Sequence, residues 1–140
     1  QVKEIRSDFA EALRKEDVNL ANELLNSILF ESISYFDYDE KFYHGMLVGL
    51  FSNYQVLSNQ ESGLGRFDLA VLPFYKKKRG FLLELKVASK EEEVEHAAVQ
   101  ACEQIKEKQY LEGLKKKGYT DIVGYGIAFY KKSCLIVALP

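Results

Sequence analysis

The chain has 140 residues, of which 47% are hydrophobic and 29% charged, the size and make-up of one compact domain with a single core. A net charge of -2 and a pI of about 5.8 exclude a protein that coats nucleic acid through bulk charge, leaving only local basic clusters for such contacts. With no run of about 18 apolar residues and no charged-then-apolar leader, neither a membrane span nor a secretory signal is expected, and the expected location is the cytoplasm.

Cys102 and Cys134 lack any CxxC or His-rich spacing, so neither a zinc site nor a disulfide framework is suggested. The chain begins at Gln1 rather than Met and is expected to be a piece of a longer protein. Val2, Ile5, Phe9 and Leu13 recur at helical spacing and predict a helix over residues 2–14. Asp17 is placed to cap a second amphipathic helix over 18–30, so residues 1–38 read as a helical hairpin and 39–140 as the core it packs on. A third helix, starting near Asp39 and Glu40 and running to Phe51, is apolar on most sides and expected to be buried.

Residues 54–58 read as a short strand and 59–65 as a polar turn. Residues 66–74 and 80–87 then form a hairpin around a basic connection. Residues 90–117 read as one long helix, opening on Glu91, Glu92, Glu93 and Glu95 and closing on Lys115, Lys116 and Lys117, as the helix dipole favours. Two more strands, 122–129 and 133–139, flank Lys131 and Lys132. A helix between strands makes a crossover, so the predicted class is α/β, a mixed central sheet flanked by helices. The basic clusters, including Lys76, Lys77, Lys78 and Arg79, each read singly as a solvated turn or a helix end.

Chemistry concentrates between Asp68 and Lys86. Strand alternation puts Glu84 and Lys86 on one face while Leu83, Leu85 and Val87 face the core, and Asp68 on the adjacent strand can reach the same point as Glu84. Two carboxylates at one point repel unless a proton or cation lies between them. A hard divalent cation suits the arrangement, since Mg²⁺ takes one or two carboxylates and completes its shell with water and phosphate oxygens. Such an ion would polarise a scissile phosphate and lower the pKa of a water that Lys86 orients. The same three residues also read as a cross-strand ion pair on a solvated sheet face.

Further motifs surround these three. In order they are Tyr43-His44-Gly45, the run from Ser58 to Asp68 containing Gly63-Leu64-Gly65-Arg66-Phe67-Asp68, then Glu84-Leu85-Lys86-Val87, the run from Ala101 to Tyr110 with Gln104-Ile105, and Gly126-Ile127-Ala128-Phe129. This pattern resembles the PD-(D/E)xK nuclease superfamily, and within it the bacterial family in which a nuclease-like domain follows an N-terminal AAA-ATPase-like domain. The resemblance implies a restriction-endonuclease-like fold and a Mg²⁺-dependent, or Mn²⁺-dependent, nuclease acting on nucleic acid, DNA in preference to RNA. It makes Asp68 and Glu84 the metal-binding carboxylates, the Leu85 carbonyl a further ligand, Lys86 the catalytic lysine and Gln104 the polar residue supplied by the following helix.

On that helix Lys108 shares a face with Gln104 and becomes a substrate contact. On the third helix Glu40 and His44 lie one turn apart, either able to serve, with His44 also readable as a satisfied buried histidine. Arg66 either binds phosphate or pairs with Glu61 to order its loop. Phe67 stands where the superfamily's name places proline, and no Gly-x-x-x-x-Gly-Lys loop occurs, so an ATPase-like partner domain would lie upstream of Gln1. The rival reading is a catalytically inactive module that binds nucleic acid or protein within an ATPase-linked protein. A homodimer through the N-terminal hairpin is compatible with both.

Overall fold

The computed structural model describes residues 2–32 and 38–140, and of Val2 and Lys3 only the backbone, so the place of Val2 in the apolar stripe lies outside the described residues, as does Gln1. Helix α1 (Val2–Arg14) turns into α2 (Val18–Glu31) at Asp17, whose carboxylate accepts from the Leu20 N–H. That cap satisfies one of the N–H groups a helix start leaves free. Phe9 and Leu13 of α1 and Leu25 and Leu29 of α2 are fully buried, so the hairpin is part of the main core.

Five strands, β1 (Gln55–Ser62), β2 (Gly65–Leu72), β3 (Gly80–Val87), β4 (Ile122–Tyr130) and β5 (Ser133–Ala138), form one sheet in the order β1-β2-β3-β4-β5. Neighbours are antiparallel except β3 and β4, which are parallel. The crossover between that parallel pair carries α4 (Val94–Glu107) and α5 (Tyr110–Lys116), as a parallel connection requires. The expected α/β class, with a mixed sheet flanked by helices and an N-terminal helical hairpin, is what the structure has.

Both faces of the sheet are covered. Leu69, Val71, Phe81, Leu83 and Leu85 join the core with α1, α2 and α3 (Glu40–Leu50), while Ala70, Leu72 and Leu82 pack with Ile105, Tyr110 and Leu114 of α4 and α5. At the sheet edge, Asn22 and Asn26 of α2 each exchange two hydrogen bonds with the β5 backbone, at Ile136 and Cys134 respectively. Those amides pair the N–H and C=O groups of an edge that would otherwise stay open to another strand.

Three expectations are corrected. The long helix over 90–117 is broken: a 3-10 turn at Glu91–Glu93 leads into α4, and Gln109, with φ of 55°, separates α4 from α5. The break receives the β1–β2 hairpin tip, where Leu64 N donates to the Lys108 carbonyl at 2.7 Å and Gly63 passes so close that a Cβ would lie 2.1 Å from the Gln109 carbonyl oxygen. The polar turn over 59–65 is mostly strand, since β1 continues to Ser62 and only Gly63 and Leu64 turn; pairing with β2 outweighs the low strand preference of those polar residues. Helix α3 is buried on one face only, through Tyr43 and Leu47, while Gly45 and Gly49 are exposed. Tyr43 fixes it, its ring stacked on Phe129 with centroids 4.2 Å apart and its hydroxyl donating to the Lys131 carbonyl at 2.8 Å.

Candidate active site

Strands β2 and β3 pair only over Leu69–Leu83, Ala70–Leu82 and Val71–Phe81. One step further, where Asp68 and Glu84 would face each other, the ladder stops and side chains take over. Leu85 N donates to Asp68 Oδ2 at 2.8 Å, and Asp68 N donates to Glu84 Oε1 at 3.2 Å. The splay therefore starts at the two acids, each carboxylate accepting from the opposite strand. On the other side, Asn59 has φ of 52°, a left-handed conformation Asn tolerates better than most, and the β1–β2 pairing skips the Asn59–Asp68 step. Because the N–H and C=O of one strand residue point to the same side, the Leu85 carbonyl faces the gap that holds Asp68.

Glu84 is only 2% exposed, which overturns the reading of a solvated cross-strand ion pair. Gln104 Nε2 donates to Glu84 Oε2, and Lys86 Nζ donates to Gln104 Oε1 at 2.9 Å, so a neutral amide separates the lysine from the buried acid. Gln104 is itself held, since it also contacts the Tyr110 hydroxyl at 3.3 Å and that hydroxyl donates to the Arg66 carbonyl at 3.0 Å. Helix α4 can bring Gln104 down because Glu84 is paired in the sheet with Gly126. A Cβ at Gly126 would lie 2.3 Å from the Ala98 carbonyl oxygen and 2.9 Å from Ala101 Cβ, so only glycine allows this approach.

Burial, and next the Asp68 charge, push the Glu84 carboxyl up to about 8. Glu40 on α3 is also raised, first by burial and then by Asp68, which places it within electrostatic reach of the pair. His44 Nε2 lies 3.2 Å from the Asp68 carbonyl oxygen. Glu40, His44, Asn59 and Asp68 line a cleft of about 540 Å³ on the α3 side. Lys86, Gln104 and Lys108 line a second depression of about 330 Å³ on the α4 side. The two hollows flank the acids.

A family profile described as the PD-(D/E)XK nuclease superfamily matches residues 38–139. The chain belongs to the PD-(D/E)XK nuclease superfamily. The matched segment runs from before α3 to beyond β5 and contains every side chain of the site, and the mixed sheet between helical layers is its restriction-endonuclease-like fold. No curated protein matches the chain. No described helix is long and apolar enough to cross a membrane.

Of the residues singled out in the sequence of this nuclease-superfamily member, Asp68, Glu84, Leu85, Lys86 and Gln104 converge, with His44 on the rim. Arg66 does not join them: it pairs with Glu61 at 3.2 Å on the exposed hairpin. Lys108 runs past Gly65 and stays exposed at the edge of the second depression. Sequence reasoning missed Asn59 and Tyr110. Asn59 carried a signal, as an Asn in a polar stretch favours left-handed backbone, whereas the Tyr110 contact depends on the helix break and has no local signature. Among the described residues no three His, Cys, Asp or Glu side chains form a ready-made metal cage.

Proposed function

We propose that this chain is a divalent-metal-dependent phosphodiester hydrolase acting on nucleic acid. The observation that carries the proposal is the meeting of Asp68 and Glu84 at the splay point of β2 and β3, with Lys86 on the Glu84 face and tied to it through Gln104. The donor set fits Mg²⁺ or Mn²⁺: two carboxylates and the Leu85 carbonyl are hard oxygen donors, and the proton that Glu84 retains when metal-free occupies the role a cation would fill. When bound there, the ion supplies positive charge to the phosphate and lowers the pKa of the attacking water.

The chain's own residues do the rest. Asp68 and Glu84 are pre-oriented by backbone N–H groups, so little reorganisation is needed on binding. Lys86, held by Gln104, supplies an ammonium that offsets the negative charge growing on the phosphoryl oxygens. His44 and Glu40 line the cleft by which a strand reaches the acids, and Lys108 offers a phosphate contact on the far side; Arg66, engaged with Glu61, orders the hairpin. The resemblance carried by the sequence motifs, beyond the superfamily itself, is what would make DNA the substrate and place an ATPase-like partner domain in the same protein. The test is cleavage of single- and double-stranded DNA and RNA in Mg²⁺ or Mn²⁺. Cleavage should vanish in EDTA and with Lys86→Ala; activity that survives both would refute the assignment.

A further inference from the structure

At the end of β2 and β3 opposite the acids, residues 73–79 put two aromatic rings into water beside a block of cations. Phe74 is 80% and Tyr75 77% exposed, and Lys76, Lys77, Lys78 and Arg79 follow directly. Adjacent apolar rings rimmed by charge mark an interaction surface more than a solvated turn. The loop is also pinned. Lys76 Nζ donates to the Lys117 carbonyl at 2.8 Å and lies 5.3 Å from the Tyr119 ring centre, while Arg79 bonds Asp121 and Glu16, both at 3.1 Å.

Two of the four cations thus fix the loop, and Arg79 neutralises the acids it touches. Lys77 and Lys78 remain exposed and form no ion pair among the described residues. The Lys76 anchor draws in the end of α5, which adds exposed Lys115 and Lys116, while Lys117 Nζ donates to the Glu61 carbonyl at 3.4 Å. In a chain of net charge -2 this is a concentrated positive surface.

We propose that this surface binds single-stranded nucleic acid, Phe74 and Tyr75 stacking on unpaired bases while Lys77, Lys78 and the α5 lysines meet phosphates. The proposal rests on the nuclease reading and adds where substrate is held outside the cleft. Stacking rings combined with lysines are what a single strand uses, whereas a duplex hides its base faces and an acidic peptide would leave the rings idle. From Gly80 to Glu84 the strand runs about 13 Å, so the loop surface is separate from the acids.

The experiment is fluorescence anisotropy on the 140-residue chain in EDTA, with labelled oligo-dT and oligo-U of about 20 nucleotides, a duplex of equal length, and poly-glutamate as competitor. Phe74→Ala with Tyr75→Ala should weaken single-strand binding about 10-fold or more and leave duplex binding within about 2-fold. Lys77→Ala with Lys78→Ala should lower the slope of log affinity against log salt by about 1.4. Unchanged single-strand affinity in the ring variant, or displacement by poly-glutamate as effective as by oligo-dT, would overturn the proposal. Mn²⁺-dependent hydrolysis of bis(p-nitrophenyl) phosphate reports on the acids alone and should be unaffected by the loop variants. Its absence alongside ring-dependent binding would remove the catalytic reading and leave the binding surface standing.

Discussion

Asp68 and Glu84 face each other at the step where β2 and β3 stop pairing, and each carboxylate accepts a backbone N–H from the other's strand. The sheet thus opens at the two acids, and the amides that lose ladder partners there are satisfied by their carboxylates. The cost is a like-charge pair in a buried place.

That cost sets a pH dependence. Glu84 titrates near 4.5 when unfolded and near 8 in the fold, so between these values the folded chain holds more protons and rising pH favours unfolding. In EDTA, urea denaturation should show stability falling by about 2 kcal/mol or more from about pH 5 to about pH 8. Glu84→Gln should flatten that profile and raise metal-free stability at about pH 8 while abolishing cleavage. A Glu84→Gln profile as steep as wild type would place the buried proton elsewhere.

Gln104 links the lysine to the buried acid, so truncating it leaves both without that partner. Gln104→Ala should reduce Mn²⁺-supported cleavage about 10- to 100-fold, the usual range for a residue that orients metal ligands. Steady-state kinetics should assign the loss to kcat more than to KM. An unchanged kcat would make the amide a packing residue only.

Gly126→Ala places a methyl against the Ala98 carbonyl and must push α4 off the sheet. Denaturant titration should register a loss of about 1–3 kcal/mol, as overpacking a close contact does. Because the same shift lifts Gln104 from Glu84, cleavage should fall together with stability. Stability lost with cleavage intact would separate the packing from the site.

Lys86→Met keeps the aliphatic stem and removes the ammonium. Cleavage should drop at least about 100-fold, as for the loss of a charge that stabilises the transition state, while Mn²⁺ affinity stays within about 3-fold of wild type. A matching loss of metal binding would mean that the lysine acts on the ligands and not on the phosphate.

The helical hairpin, the β2–β3 acids and the two final strands were legible because their signals are local: helical spacing at Phe9 and Leu13, alternation around Glu84, and turn residues at Lys131 and Lys132. Alternation also placed Glu84 and Lys86 on one face correctly. It could not say that α4 and α5 would cover that face, which is what buries Glu84. The split at Gln109 was invisible because the helical pattern runs through it; its partner is the hairpin tip at Gly63 and Leu64, some 45 positions earlier in sequence. The continuation of β1 through Asn59 and Gln60 likewise depends on β2, not on those residues' own preferences.

The direct test of a metal site at the splay point is calorimetric titration of Mn²⁺ into the wild-type chain, Asp68→Ala and Glu84→Ala at about pH 8. One ion should bind the wild type with a Kd below about 1 mM, with proton release that grows as pH is lowered toward 7, and binding should be lost in both variants. Wild-type binding absent at about 10 mM Mn²⁺, or retained in both variants, would contradict a metal centre built on Asp68 and Glu84.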